Sequence, residues 1–349
     1  MLSIDEFAKK CKVSKATVSR AFRENSGISR ETRDFILARA QELHYQPKAY
    51  TKRVQPTAHS SMIGIMLGIK PYPYANDLCM AISEVVEAAG YVPVIFNNQN
   101  GDMSEVKALN AAKNILSGLI IVPSTTQNEY NSKFIKQISK KMPVMCIIRK
   151  LNDVTLDSIT IKNYSGLLNA TRLLLDHGHK NIGFFTGPMN IAPSHDKLTG
   201  YTDALNRYNV PVNGDYIVYG EHDIKKTAAQ VKELLFKHPE ITALITSNII
   251  MSRGVLLGLE QMHLSVPENI SLVSYGNDTL FSVGKSKVTC IYDYHYDLGV
   301  QAANLMLRRI NEFKTNKKYE PEQTTIYPEL IIRGSEIYPT QPIASFKIS

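Results

Sequence analysis

The stretch Val13 to Phe22, "VSKATVSRAF", decides how the first part of this 349-residue chain is read. Hydroxyl side chains alternate in it with Lys15 and Arg20, while Val18, Ala21 and Phe22 recur at helical spacing. Ser14 suits an N-cap, because its hydroxyl can accept from a first-turn N–H that has no partner within the helix. The predicted helix turns Val18 and Phe22 inward and leaves Lys15, Ala16 and Arg20 facing out. Such a helix is either an ordinary amphipathic one or one that lies in a DNA groove, and its surroundings decide.

Upstream, Ser3-Ile4-Asp5-Glu6 has the form of a capping box and leads into Phe7 and Ala8, which predicts a short helix to about Cys11. Downstream, Ser29 caps a third helix with Ile36, Leu37, Ala40 and Leu43 at helical spacing. Three short helices, the first two joined by a tight turn, make a helix-turn-helix domain. Charge agrees with that reading. Residues 1–60 hold 12 Lys+Arg against 6 Asp+Glu, and the remaining 289 hold 28 against 26, so +6 of the +8 net charge sits in the head. A basic head on a nearly neutral body points to nucleic acid. Arg20 can donate two parallel bonds to a guanine edge. Ser14, Thr17 and Ser19 are short donors suited to phosphate oxygens, which fix register without reading sequence.

The segment "LSIDEFAKKCKVSKATVSRAFRENSGISRETRDFILARAQELHYQP" resembles the head of the LacI/GalR bacterial transcription regulators. The residues that carry the resemblance are Ser3-Ile4, Val13-Ser14, Thr17-Val18-Ser19-Arg20, Asn25, Thr32-Arg33 and Leu43-x-Tyr45-x-Pro47. It implies base reading by Lys15, Ala16 and Arg20, and phosphate contacts from Ser3, Ser14, Thr17, Ser19, Asn25, Thr32 and Tyr45. Lys12 departs from the pattern, since the family usually has glycine in the turn. A left-handed lysine there costs ~1 kcal/mol.

Residues 46–60, "QPKAYTKRVQPTAHS", are basic and bounded by Pro47 and Pro56. By resemblance they form a hinge helix that enters the minor groove beside its dimer mate, with Lys52 and Val54 at the groove and Val54 as the wedge. Leucine is usual at that place, so valine predicts a shallower wedge, by ~0.8 kcal/mol of apolar burial. Pro56 ends the helix near Val54.

From residue 61, short apolar strands such as "MIGIML", "GLIIVP", "NIGFFTG" and "ISLVSY" alternate with amphipathic helices, including 76–89, 164–176 and 231–238. That alternation predicts an α/β body of two doubly wound parallel-sheet subdomains, with ligands at the carboxyl ends of the strands. Walker, G-x-G-x-x-G, G-x-S-x-G and H-E-x-x-H motifs are missing from the sequence, which argues against an enzyme and calls for no cofactor. His177-Gly178-His179 reads as a turn between helix and strand and not as a metal site. Four widely spaced cysteines, no apolar signal core and no membrane-length apolar run predict a soluble cytoplasmic protein with reduced thiols.

The resemblance continues through "HGHKNIGFFTGP", "LTGYTDAL", "VPENISLVSYGND" and "DYHYDLGVQAANLMLRRI". It implies a periplasmic-binding-protein-like body that dimerises and binds a small effector, commonly a sugar or purine. The expected organisation is a head at 1–45, a hinge at 46–60, a body at 61–340 and a tail at 341–349. Within the body, 61–160 pairs with 292–320 as one subdomain, and 161–291 with 321–340 as the other. Family acids are replaced where the effector should sit: Lys162 precedes Asn163, Ile249 follows Asn248, and Gly276 precedes Asn277. Lys197 stands in place of a common arginine. With Arg149, it suits a carboxylate or phosphate, so the expected effector is a sugar or an anionic sugar derivative. Tyr72, Tyr74, Arg149, Lys162, Lys197, Asn248 and Asn277 are the candidate effector residues. The whole reads as a homodimeric repressor of a pseudo-palindromic double-stranded DNA operator, tuned by a small molecule. The alternatives are a soluble ligand sensor and a regulator answering to a protein partner.

Overall fold

The computed structural model of the chain describes residues 4–21, 28–42, 61–67, 73–97, 107, 109–110, 113–123, 129–189, 191–220, 223–283 and 287–345. The chain divides into two compact units, residues 1–59 and 60–349. The division falls inside the expected hinge, whose residues, Lys52 and Val54 among them, lie outside the described ones.

The first unit is built of α1 (Ile4–Cys11), α2 (Lys15–Ala21) and α3 (Arg30–Glu42). Ser14 Oγ accepts from Thr17 N at 3.0 Å and Ser29 Oγ accepts from Thr32 N at 3.2 Å, so both predicted N-caps are made. Each capping hydroxyl also pairs with that threonine's own hydroxyl, at 2.8 and 2.7 Å. Between α1 and α2, Lys12 takes the left-handed conformation, φ 54°, that its place in the turn requires. Phe7, Val18, Ala21 and Ile36 close the core. Arg33 Nε donates to the Ala21 carbonyl at 3.2 Å, which satisfies a C-terminal acceptor of α2 from α3.

The second unit has two lobes. The first begins with β1 (Met62–Leu67), α4 (Pro73–Ala88), β2 (Val92–Asn97), β3 (Gly118–Val122), α5 (Glu129–Ile138), β4 (Val144–Ile148) and β5 (Asp157–Ile161). The chain then enters the second lobe through α6 (Asn163–Asp176), β6 (Ile182–Thr186), α7 (Ala192–Arg207), β7 (Ile217–Tyr219) and α8 (Ile224–Lys237). That lobe is completed by β8 (Ala243–Thr246), α9 (Ile249–Gln261), β9 (Ser271–Tyr275) and β10 (Thr289–Tyr292). It returns with α10 (His295–Lys314) and β11 (Gln323–Ile326), and crosses again to β12 (Glu329–Ile331). Among the described residues the chain thus passes between the lobes three times.

The sheet orders are β11-β5-β4-β3-β1-β2 and β12-β10-β9-β8-β6-β7, and every pairing is parallel except β12 with β10. Both are the 2-1-3-4-5 winding, whose strand order reverses between the first and third strands of each lobe. β3, β6 and β9 are buried at every position, as expected of strands covered on both faces. All four apolar runs quoted from the sequence form strands, β1, β3, β6 and β9.

Two boundaries differ from expectation by more than three residues. The sequence places residues 321–340 in the second lobe, but only β12 joins that sheet, while β11 pairs with β5 and extends the first. Its sequence, Gln-Thr-Thr-Ile, is an exposed edge without hydrophobic alternation, so nothing in its pattern marks its side. Helix α8 starts at Ile224, seven residues before the expected 231, because Asp223 caps it by accepting from Lys226 N at 2.8 Å.

Helices α6 and α7 pack so closely that a Cβ at Gly200 would lie 2.3 Å from the Tyr164 carbonyl oxygen. Helix α6 ends in a Schellman motif: Gly178 N donates to Leu175 O and His179 N to Leu174 O, with Gly178 at φ +90°. His177-Gly178-His179 is therefore the turn that the sequence predicted. His179 is fully buried, its ring nitrogens 2.9 Å from the Thr242 hydroxyl and 3.1 Å from the Glu336 carbonyl. A carbonyl only accepts, so Nε2 carries the proton and the imidazole is a neutral clamp. Burial pushes its pKa down to about 4.

Candidate functional site

In the head, Lys15, Ala16 and Arg20 are all exposed, while Val18 and Ala21 on the opposite side of α2 are buried. The helix therefore presents the three expected base-reading residues on its solvent face. Ser14 and Thr17 share one hydroxyl proton between them, which leaves the second to donate outward. Thr32 is placed in the same way beside Ser29. Ser3, Asn25 and Tyr45 lie outside the described residues, as does the side chain of Ser19.

In the body, a cavity of about 100 Å³ opens at the carboxyl ends of both sheets. The first lobe contributes Ile148, Arg149 and Ile161, Asn163 stands where the chain crosses into the second lobe, and the second lobe contributes Gly187 after β6 and Ser247 to Ile250 after β8. On the second-lobe side the cavity thus sits over the strand-order reversal, where doubly wound sheets bind ligands.

Local backbone geometry aims these groups. Arg149 N donates to the Ile147 carbonyl at 2.7 Å across Ile148, whose φ is +65°. That is a γ-turn with a β-branched residue at its centre, a strained arrangement of ~1–3 kcal/mol that turns the chain at the end of β4 and sets Arg149, 6% exposed, in the cavity wall. Tyr294, at φ +51°, sits between Asp293 and His295, and both of these line the cavity. Their side chains pair at 2.9 Å. Gly276 follows β9 at φ +90°, and a Cβ there would lie 2.8 Å from Ile249 Cγ1. An aspartate at that place would be both strained and crowded.

Lys197 is the second cation of the cavity. Its Nζ donates to the Ser247 carbonyl at 2.8 Å and lies 3.4 Å from the centroid of the buried Tyr275 ring. Burial pushes its pKa down to about 7, against the pull of Asp293 and Asp196. Burial also holds the Tyr275 phenol well above its usual range, and its hydroxyl donates to Asn163 Oδ1 at 2.8 Å. Asn163 Nδ2 is spent on the Ile161 carbonyl at 3.1 Å, and Asn248 Oδ1 caps α9 by accepting from Met251 N at 3.0 Å. Three other helices, α6, α7 and α10, also begin at the cavity, and none has a side-chain cap. In α7 Pro193 carries no N–H and Ser194 N donates to the Ile191 carbonyl at 3.1 Å, so the open helix starts are those of α6 and α10, beside Asp293 as well as the two cations.

Of the candidate effector residues, the structure brings together Arg149, Lys197 and Asn248. Lys162 is exposed and does not line the cavity; the next residue, Asn163, does, because one step around the helix start turns the side chain inward. Asn277 is exposed beyond the Gly276 turn, where its Oδ1 accepts from Arg333 at 2.8 Å. Tyr72 lies outside the described residues, and so does the Tyr74 side chain. Asn163, Tyr275, Asp293 and His295 are cavity residues that the sequence reading did not select. Their proximity to strand ends was visible, but their convergence from four separate elements was not.

Fold, cavity and head together define a two-lobed binding protein joined to a helix-turn-helix module, the architecture of a ligand-responsive regulator. The profile described as "Periplasmic binding proteins and sugar binding domain of LacI family" matches residues 60–333, and "Bacterial regulatory proteins, lacI family" matches residues 3–48. The chain belongs to the LacI family of bacterial regulatory proteins. It is 28% identical over 337 residues to the HTH-type transcriptional repressor PurR of Histophilus somni, covering 96% of this chain and 99% of that one. To the PurR repressor of Escherichia coli O139:H28 it is 26% identical over 339 residues, covering 96% and 97%. Among solved structures, the Lac repressor bound to ONPG superposes with a TM-score of 0.73 at 19% identity, covering 96% of this chain and 99% of that one. The regulator CelR in complex with cellobiose gives 0.71 at 19% identity, covering 96% and 100%. These last two likenesses concern the fold.

Proposed function

We propose that the chain is a homodimeric transcriptional repressor that reads a pseudo-palindromic operator through Lys15, Ala16 and Arg20, with its DNA affinity set by a small anionic ligand held between the lobes. The observation that carries the reading is the division of α2 into a buried apolar side and an exposed side bearing Arg20, on a head with most of the chain's net charge. The names of the PurR relatives support repression. Two heads on one dimer suit half-sites about one helical turn, ~34 Å, apart. Arg149, Lys197 and the starts of α6 and α10, which have no side-chain cap, support a negative charge on the ligand. A ligand alters DNA affinity only by the difference in its own affinity for the DNA-competent and incompetent states.

Selection from a random duplex library with the full-length protein, read at two salt concentrations, tests this. Wild type is expected to enrich a pseudo-palindrome, and Arg20→Ala to lose ~1–3 kcal/mol of discrimination at one symmetric position. Binding that tracks salt alone, with no enriched sequence, would end the proposal.

A further inference from the structure

Lys197 differs from the other polar groups of the cavity, most of which are committed within the chain. Arg149 is engaged there, and Asp293 pairs with His295 at 2.9 Å. The Tyr275 hydroxyl and both ends of the Asn163 amide are bonded as described, and Ser247 Oγ donates to Met251 Sδ at 3.4 Å. Lys197 Nζ makes one hydrogen bond, to the Ser247 carbonyl at 2.8 Å, and lies 3.4 Å from the Tyr275 ring centroid. Among the described residues no carboxylate is within ion-pair distance of it. Asp293, after β10, and Asp196, on its own helix, act from further away, and burial outweighs both. With a pKa of about 7, about half of this side chain is free amine at neutral pH. An amine that spends one N–H on Ser247 keeps its lone pair for an electrophile. Ser194 stands one turn earlier on the same face of α7 and also lines the cavity, where its hydroxyl can donate to a carbonyl oxygen. Ile148, Ile161, Ile191, Ile249 and Ile250 make the wall apolar, which disfavours hydrolysis of a condensed product. That product also suits the seat: a protonated imine is a cation whose single N–H keeps the Ser247 acceptor beside the ring face.

We infer that Lys197 captures a small aldehyde as an imine in the cleft. The Nζ lone pair forms a C–N bond to the carbonyl carbon, and the carbonyl oxygen takes up one amine proton. That oxygen then leaves as water with the second amine proton, while the nitrogen electron pair closes the C=N bond. The inference rests on the reading that the ligand sits between the lobes, and adds a covalent step to it.

Full-length protein incubated with isobutyraldehyde or glyoxylate, quenched with borohydride and mapped by peptide mass spectrometry, tests it. At pH 7 Lys197 is expected to be labelled at least about tenfold more than the exposed Lys162. Its labelling should rise with pH and level off above about 7, where the amine is neutral. Equal labelling of the two lysines, or none at Lys197, would overturn the inference. Glyoxylate that still gave heat in a calorimetric titration would then leave the anionic reading standing, and silence there would overturn that reading as well. Labelling of Lys197 by isobutyraldehyde alone would sustain the imine and overturn the anionic reading.

Discussion

The two lobes share a winding order, yet they bury polarity in different ways. In the first lobe a charged cluster is closed off. Arg309 of α10, 2% exposed, donates to both oxygens of Asp157 at 3.0 and 2.8 Å, and reaches Glu312 at 2.7 Å and Glu322 at 3.0 Å. Asp157 begins β5, so this cluster lies at the end of the strand opposite the cavity. In the second lobe, which also buries Glu336 and an Asp278 carboxylate paired with Arg253 at 2.6 Å, a neutral chain of hydroxyls sits at the cavity end. Thr246 Oγ1 lies 2.5 Å from Ser252 Oγ, which is 2.6 Å from Ser274 Oγ, which donates to the Gly276 carbonyl at 3.1 Å. One proton order satisfies the chain, running from Thr246 through Ser252 and Ser274 to the carbonyl. The contrast teaches where a ligand-binding fold can place buried charge. Ions hold the returning segment at the distal end, and hydroxyls support the cavity floor without adding a net field to that of Arg149 and Lys197.

The largest test of this contrast is Arg309→Met. It leaves the buried Asp157 carboxylate and the partly buried Glu312 without this cation, and a loss of ~3–5 kcal/mol in denaturant-unfolding stability is expected. A loss below ~1 kcal/mol would show that the cluster is no anchor. Next comes acidification, which strikes the second lobe through His179. Its folded pKa of about 4 lies below the ordinary 6.5, so the folded state binds fewer protons between those values. The contribution is complete above pH 6.5 and is lost as pH falls toward 4, up to ~3 kcal/mol. Urea midpoints at pH 7 and pH 4.5 should differ accordingly, and His179→Gln should flatten the dependence. Ser252→Ala breaks the hydroxyl chain at its centre and should cost ~1–3 kcal/mol; a neutral outcome would reduce the chain to coincidence of packing. Asn248→Ala removes the one side-chain cap among the helix starts described at the cavity, and should cost ~1 kcal/mol in thermal or denaturant unfolding.

Much of this architecture is legible in the sequence because it is local. Ser14 and Ser29 announce two helix starts by capping chemistry, and Lys12 announces a left-handed turn by standing where the resembling family has glycine. Apolar runs announce strands because both faces of these sheets are covered. The losses have equally physical causes. β11 is a polar edge strand that pairs with a partner more than 160 residues away, so no periodicity marks it. Asn163 and Lys162 differ by one position at a helix start, and only the packed helix decides which turns inward. Asp293 and His295 reach the cavity through the left-handed Tyr294, a residue for which the sequence gives no such cue. The candidate site was therefore readable as a set of strand ends, while its membership depended on contacts across the chain.

The three crossings between the lobes carry a mechanical consequence. Asn163 lies where the first crossing enters α6, and Asp293 lies on the second, between β10 and α10. Cavity residues thus stand on the pivot itself. Three parallel tethers restrict the lobes to a narrow set of rotations, and a load applied at the fulcrum moves the outer rims through the longest arm. A small displacement beside the axle is a far larger stroke at the edges.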